Sequence, residues 1–203
     1  MTKTNIMTLL AFLCFNTVIS ADKLRCSNLN KHTVSDNAQK SIYENCVRNG
    51  VTLWFEDNGD IKSKVNFTNG KENGLYASYY SNAKEKITVN YVDGQKDGLQ
   101  TVYYDNGKVG SEVNYSMGRR EGVMTDWDYE GYKSAEVFYK HNYKVGLKKY
   151  YDHSGEVVRT ETYEMDRNPV MLKLLKDKRK EILVDLSKYG LVPKDAPLED
   201  RMK

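Results

Sequence analysis

Histidine, cysteine and carboxylate side chains at short, fixed spacings are where catalytic or metal chemistry would begin. This chain of 203 residues has three His and three Cys. His32, His141 and His153 stand far apart in the chain, without the His-Glu-x-x-His or Cys-x-x-Cys spacing that gathers a metal. There is no Gly-x-Ser-x-Gly elbow and no phosphate loop. Asp57-Asn58-Gly59-Asp60 hints at calcium but lacks the ligand run and distal Glu of a twelve-residue loop, and turn chemistry explains it better. Asn66-Phe67-Thr68 and Asn114-Tyr115-Ser116 match the glycosylation triplet, which matters only in a eukaryotic secretory pathway. An enzyme would need carboxylates converging on a groove. The expectation is therefore no catalytic residues, no metal ligands, no cofactor and no enzyme.

The elements around these residues carry a stronger pattern. Stepping by 24 from Gly50 reaches Gly74, Gly98, Gly122 and Gly146 without slippage. An aliphatic residue follows each: Val51, Leu75, Leu99, Val123, Leu147. Four further on stands an aromatic: Phe55, Tyr79, Tyr103, Trp127, Tyr151. A valine column (Val65, Val89, Val113, Val137, then Glu161) and a second aromatic column (Phe67, Tyr91, Tyr115, Tyr139, Tyr163) complete the unit. Such columns mark internal repetition. Within a copy the apolar columns fall at odd offsets from the leading glycine, the period of a strand with one face buried. Asn58-Gly59 and Asn106-Gly107 lie between the two runs and suit a type I′ turn. Each copy reads as a β-hairpin, and five copies as about ten strands, a sheet about 45 Å long at ~4.8 Å per strand.

All but two of the 16 tyrosines lie between residues 50 and 168. Those at odd offsets are expected in the core. Tyr76, Tyr80, Tyr104, Tyr132 and Tyr150 stand at even offsets, on the opposite face of an ideal strand. They either shield that face by stacking across strands or form an exposed aromatic strip for a partner. They are the candidate partner-binding residues, and Gly50, Gly74, Gly98, Gly122 and Gly146 the structural ones.

The unit Gly-Leu-x-x-x-Tyr-Tyr-x-Asn-Gly, then Val-Asn-Tyr-x-x-Gly, seen most clearly over 74–94 and 98–118, resembles the MORN-repeat variant family. The resemblance covers residues 50 to about 166. It implies an elongated ribbon of β-hairpins, often curved into a shallow groove, that serves as a binding or assembly scaffold. Many bacterial relatives carry an antitoxin label, and related eukaryotic repeats are linked to phospholipid contact. No catalytic residues come with the family. Choline- and glucan-binding hairpin repeats are a second resemblance, but they build ligand cages from Trp, and Trp54 and Trp127 fall in different columns.

The flanks differ from the repeats. Lys3 is followed by an apolar run from Ile6 to Phe15, then Val18-Ile19-Ser20-Ala21, the order of a secretory signal peptide over 1–21. The run is about ten residues, shorter than the ~20 of a membrane span. A retained anchor is the alternative reading, and Leu13 before Cys14 disfavours lipidation. Removing the leader leaves Cys26 and Cys46 in a polar arm over 22–49, expected to form one disulfide in an oxidising compartment, with two free thiols as the alternative. Residues 36–46 read as a short helix. Asn168-Pro169 then opens an amphipathic helix over 169–190; Leu172, Leu175, Ile182, Leu186 and Tyr189 line one side, and Lys173, Lys176, Lys178, Arg179 and Lys180 make its polar side basic. It caps the ribbon or meets a membrane or partner helix. Residues 191–203 read as a tail.

Composition sets the outer limits. Hydrophobic residues are 39% and charged residues 29%, with 31 basic against 28 acidic side chains and a net charge of +3. This argues against several membrane spans, disordered tails and nucleic acid as a partner. The expected fold is mainly β: an elongated single-layer antiparallel β-hairpin repeat meander, MORN-like, with a C-terminal capping α-helix. The expected function is an exported, non-enzymatic scaffold that binds another protein through the ribbon. The alternatives are an antitoxin or immunity protein covering a toxin, and a carbohydrate- or cell-wall-binding module. Membrane contact is expected only through the basic C-terminal helix, and the sequence leaves the oligomeric state open.

Overall fold

A computed structural model describes residues 31–35, 38–44, 47–163 and 185–192. The leader, the Cys26–Cys46 bridge, the expected helix from Pro169 to residue 184 and the tail beyond 192 lie outside the described residues. The strands join one antiparallel sheet in which sequence neighbours are sheet neighbours.

The sheet opens with β1 (Lys31–Ser35) and β2 (Gln39–Glu44), which pair antiparallel. This corrects the short helix expected over 36–46. Along β2 Ser41 and Tyr43 are buried while Lys40 and Glu44 are exposed. That alternation has period two, so a half-buried strand wins over a helix here.

Five hairpins follow. They are β4 (Gly50–Phe55) with β5 (Ile61–Thr68), and β7 (Gly74–Tyr79) with β8 (Glu85–Val92). Next come β9 (Gln95–Tyr103) with β10 (Val109–Ser116), β11 (Arg119–Trp127) with β12 (Lys133–Lys140), and β13 (Tyr143–Tyr151) with β14 (Val157–Tyr163). Two short strands, β3 (Val47–Arg48) and β6 (Lys71–Glu72), occupy the place that the first residues of β9, β11 and β13 fill in later copies. At the far end residues 185–188 are helical, and Gly190 takes a left-handed φ of 62° just beyond.

The type I′ geometry expected within the hairpins lies between them instead. In the first hairpin, Gly59 N donates to Glu56 O and Glu56 N to Asp60 O, and within the loop only Gly59 has a positive φ; Ala83 takes that place in the second hairpin. That is the longer loop built on a type I turn, not type I′. The paired positive φ values of type I′ lie between repeats instead: Asn69-Gly70, Asp93-Gly94, Met117-Gly118 and His141-Asn142. Each joins directly paired residues such as Val92 and Gln95. A two-residue loop must match the right-handed strand twist, whereas the longer loop is free of that demand.

Register decides which side chains form the core. Each valine column residue pairs with the residue thirteen before it: Thr52 with Val65, Tyr76 with Val89, Gln100 with Val113, Met124 with Val137. Directly opposed residues share a face. Because thirteen is odd, odd offsets on the first strand lie on the face opposite to odd offsets on the second. The expectation of one buried odd-offset face is therefore overturned. Val65, Val89, Val113 and Val137 are 1–3% exposed, whereas Val51, Leu75 and Leu99, on the other face, are 46–49% exposed.

Candidate interaction surface

The valine face closes over itself. Beside the valines runs a row in which aromatic and charged residues alternate across the sheet. Tyr43 opposes Arg48, Phe67 opposes Glu72, Tyr91 opposes Lys96, Tyr115 opposes Arg120 and Tyr139 opposes Lys144. Each cation in turn reaches over the ring one hairpin on: Arg48 over Phe67 at 4.8 Å, Lys96 over Tyr115 at 5.0 Å, Arg120 over Tyr139 at 4.2 Å and Lys144 over Tyr163 at 4.9 Å. Aliphatic stems lie along the rings while the charged ends meet the negative ring faces, which shields a layer that no second sheet covers. Burial pushes the Lys96 ammonium below its usual range. It pushes the Tyr91 phenol above its usual range, with help from the Glu72 carboxylate. The cation column was legible two residues before the leading glycine, at Arg48, Lys96, Arg120 and Lys144, and the sequence reading missed it.

The five tyrosines proposed for partner binding do not form one strip. Tyr76 lies on the valine face, opposite Val89 and edge-on to Tyr91 at 6.2 Å. Tyr150 opposes Ala135, with the Arg159 guanidinium 3.7 Å from its ring centroid and its hydroxyl donating to Glu161. These two placements correct the expectation that both face away from the valines. Tyr80 and Tyr104 tie one hairpin to the next: their hydroxyls donate to the backbone carbonyls of Tyr103 and Trp127 at 2.7 and 2.8 Å. Asn82 and Asn106 repeat this with the carbonyls of Asp105 and Tyr129. Tyr132 sits at a hairpin tip, half exposed, with its ring stacked on His153. Tyr80, Tyr104 and Tyr132 thus reach across to the next repeat, whereas the ring and hydroxyl contacts of Tyr76 and Tyr150 lie within their own hairpins.

The opposite face, here the leucine face, is more open. Alternation along the leading strands places Val51, Leu53 and Phe55 on it, and likewise Leu75, Ala77 and Tyr79. Its central row runs through paired residues Leu53, Lys64, Ala77, Thr88, Thr101, Glu112, Thr125, Glu136 and Lys149. Small and charged residues keep this row shallow. On one side of it stand Val51, Leu75 and Leu99; on the other, half-buried Phe55, Tyr79, Tyr103, Trp127 and Tyr151. Lys64 Nζ lies 5.5 Å from the Tyr79 ring centroid, and its bond to the Tyr79 hydroxyl raises its proton affinity. Burial and the adjacent Glu136 carboxylate, to which the Tyr151 hydroxyl donates, hold that phenol well above its usual range.

Over the fourth and fifth hairpins the leucine face is already occupied by the chain itself. Leu186 and Leu191, both fully buried, pack on Phe138 and Val145, with Val123 and Leu147 at the margin. Leu147 N donates to Leu191 O at 2.9 Å. The choice of place is written in one column. Val51, Leu75 and Leu99 pair with Asn66, Asn90 and Asn114, whereas Val123 pairs with Phe138. Replacing the amide by a phenyl ring supplies the apolar floor on which the leucines sit. The aliphatic column is thus covered at one end and open at the other.

These features define a single-layer ribbon of β-hairpin repeats with a capped end and an open apolar row, an architecture suited to a binding scaffold. Two segments, 48–69 and 96–117, match the MORN repeat variant family. No curated protein matches the chain. Solved structures that resemble it include a Staphylococcus aureus TarM mutant in complex with Fondaparinux, alpha-GlcNAc-glycerol and UDP (10% identity, 71% of this chain and 24% of that one, TM-score 0.34). Others are accessory secretory protein 1,2 and 3 of Streptococcus pneumoniae (10%, 73% and 25%, 0.27) and a GtfA/B complex bound to UDP and GlcNAc (10%, 80% and 32%, 0.27). The chain therefore spans a third or less of each of these proteins, and likeness at this level says nothing of what it binds. Among the described residues no helix is long and apolar enough to cross a membrane.

Proposed function

We propose that the chain is an exported, non-enzymatic scaffold that binds another protein through the open part of its leucine face. The observation that carries this reading is the docked segment over 185–192. The ribbon holds two leucines of its own chain on the aliphatic column, while Val51, Leu75 and Leu99 of that column remain about half exposed. A partner segment with apolar side chains spaced to meet that row finds aliphatic contacts there. Lys64 and Glu112 of the central row supply charge selectivity at its border. Of the five tyrosines, Tyr80 and Tyr104 contribute by keeping the hairpins aligned, their hydroxyls spent on the next repeat's backbone.

The test is capture of partners from envelope extracts by the parent chain, by Leu75→Asp/Leu99→Asp and by Tyr80→Phe/Tyr104→Phe. A specific protein retained by the parent and the tyrosine variant, but lost by the leucine variant, is the expected result. Equal retention by the leucine variant would refute the surface. Recovery of glycan or wall material without a protein would favour a carbohydrate-binding module.

A further inference from the structure

The hairpin tip of the fourth repeat departs from the pattern that links the second tip to the third repeat and the third tip to the fourth. Where earlier tips carry Tyr80 or Tyr104, the fourth carries Asp128; where they carry Asn82 or Asn106, it carries Glu130. The bonds from tyrosine hydroxyl and asparagine amide to the next repeat's backbone give way to a different arrangement. Asp128 Oδ2 lies 2.8 Å from His153 Nε2 on the next tip. One carboxylate oxygen of Glu130 completes a group whose three ligand atoms all lie within 4.8 Å of one another.

We propose that Asp128, Glu130 and His153 bind a divalent transition-metal cation of the zinc type, bridging the last two hairpin tips. The donor set is one imidazole nitrogen and two carboxylate oxygens, which suits zinc and its neighbours better than calcium or magnesium. Two of the three donors are held in place. Asp128 Oδ1 accepts from the backbone N–H groups of Gly131 and Tyr132, each at 2.9 Å, which leaves Oδ2 facing the imidazole. The His153 ring stacks on Tyr132 with centroids 4.4 Å apart and planes 14° apart, which fixes its direction. Glu130 is exposed, with a carboxylate oxygen already within 4.8 Å of the other two donor atoms. Lys108 Nζ, bonded to the Glu130 carbonyl at 2.7 Å, opposes a cation, but two carboxylates outweigh one ammonium. The ion enters between Asp128 Oδ2 and His153 Nε2 in place of their direct contact, binding the imidazole tautomer that carries its hydrogen on Nδ1, and water completes its coordination.

Isothermal titration of the purified full chain with zinc chloride, and separately with calcium chloride, tests this at about pH 7.5. The expected result is one zinc per chain at this site and no comparable response to calcium. Losing even an outer-shell partner typically lowers metal affinity by about 10- to 100-fold, so His153→Gln and Glu130→Gln should each lower it at least about tenfold. His141→Gln should leave it unchanged. Both site variants replace exposed side chains, and circular dichroism melts that overlay the parent's verify that they fold. Zinc held elsewhere, on the cysteines or His32, would persist in His153→Gln. No zinc binding by the parent, or equal binding by His153→Gln, overturns the assignment.

Discussion

Gly146 and Gly122 occupy the same column, and exchanging each for alanine separates backbone conformation from the docking of the C-terminal segment. Both have left-handed φ, 74° and 86°, so an alanine at either costs about 1–2 kcal/mol in backbone strain. Their surroundings differ. A Cβ on Gly122 meets nothing within 4 Å, whereas one on Gly146 falls 2.4 Å from Leu191 O and 2.9 Å from Leu186 Cδ2. The first of these is backbone, so the segment itself has to move. Moving it breaks the Leu147 N to Leu191 O bond, worth about 1 kcal/mol, and uncovers Leu186 and Leu191, each worth about 1.5–3 kcal/mol when buried. A docked segment that has already lost its chain entropy on ordering keeps little net stability to absorb such losses. It should leave the sheet instead of bending around the methyl group. Hydrogen exchange followed by mass spectrometry reads this directly. Gly146→Ala should deprotect residues 185–192 and the Leu147 amide, while Gly122→Ala leaves both protected; urea melts should show the shared 1–2 kcal/mol in each variant. Full protection of 185–192 in Gly146→Ala, or equal loss in Gly122→Ala, would refute the steric reasoning.

Two further outcomes follow from single side chains. Thr52 is fully buried and its hydroxyl has no hydrogen-bond partner among the described residues, so Thr52→Val should raise stability in denaturant melts by about 1 kcal/mol by removing an unsatisfied group; a loss would mean that the hydroxyl is bonded in solution. Asp152 accepts from the Ser154 hydroxyl and from backbone N–H groups of the same turn, which hold its carboxyl below the ordinary 3.8. A lowered folded value means that its contribution is complete above the unfolded value of about 3.9 and is lost as pH falls through the folded one. Asp152→Asn should therefore destabilise at about pH 6 and match the parent near about pH 2 in urea melts; a penalty unchanged by pH would rule out the carboxylate as its source.

The 24-residue register determined a great deal without coordinates. Glycine, valine and aromatic columns at fixed spacing dictate short strands, because only period-two alternation buries the valines while leaving polar neighbours in water. The five hairpins from Gly50 to Tyr163 and their chain order follow from that, whereas the added β1–β2 pair at the N-terminal edge, outside the repeat columns, does not. Hairpin parity was another matter. Whether Leu75 shares a face with Val89 depends on the loop length actually adopted, and a shift of one residue sends every side chain of a strand to the other face. The longer loop and the bulge beside it keep Tyr76 opposite Val89, the same parity that a two-residue turn at Asn82-Ala83 would give, so Tyr76 joins the valines and Leu75 turns away. The same gap hid the tip cluster: Asp128 and His153 are 25 residues apart in the chain and meet only because one repeat stacks on the next. The site over Phe138 shows both levels at once. Its phenyl ring breaks the asparagine column visibly in the sequence. That Leu186 and Leu191 come to rest on it was decided by the tertiary structure, since burying two leucines is worthwhile only where the sheet offers an apolar floor.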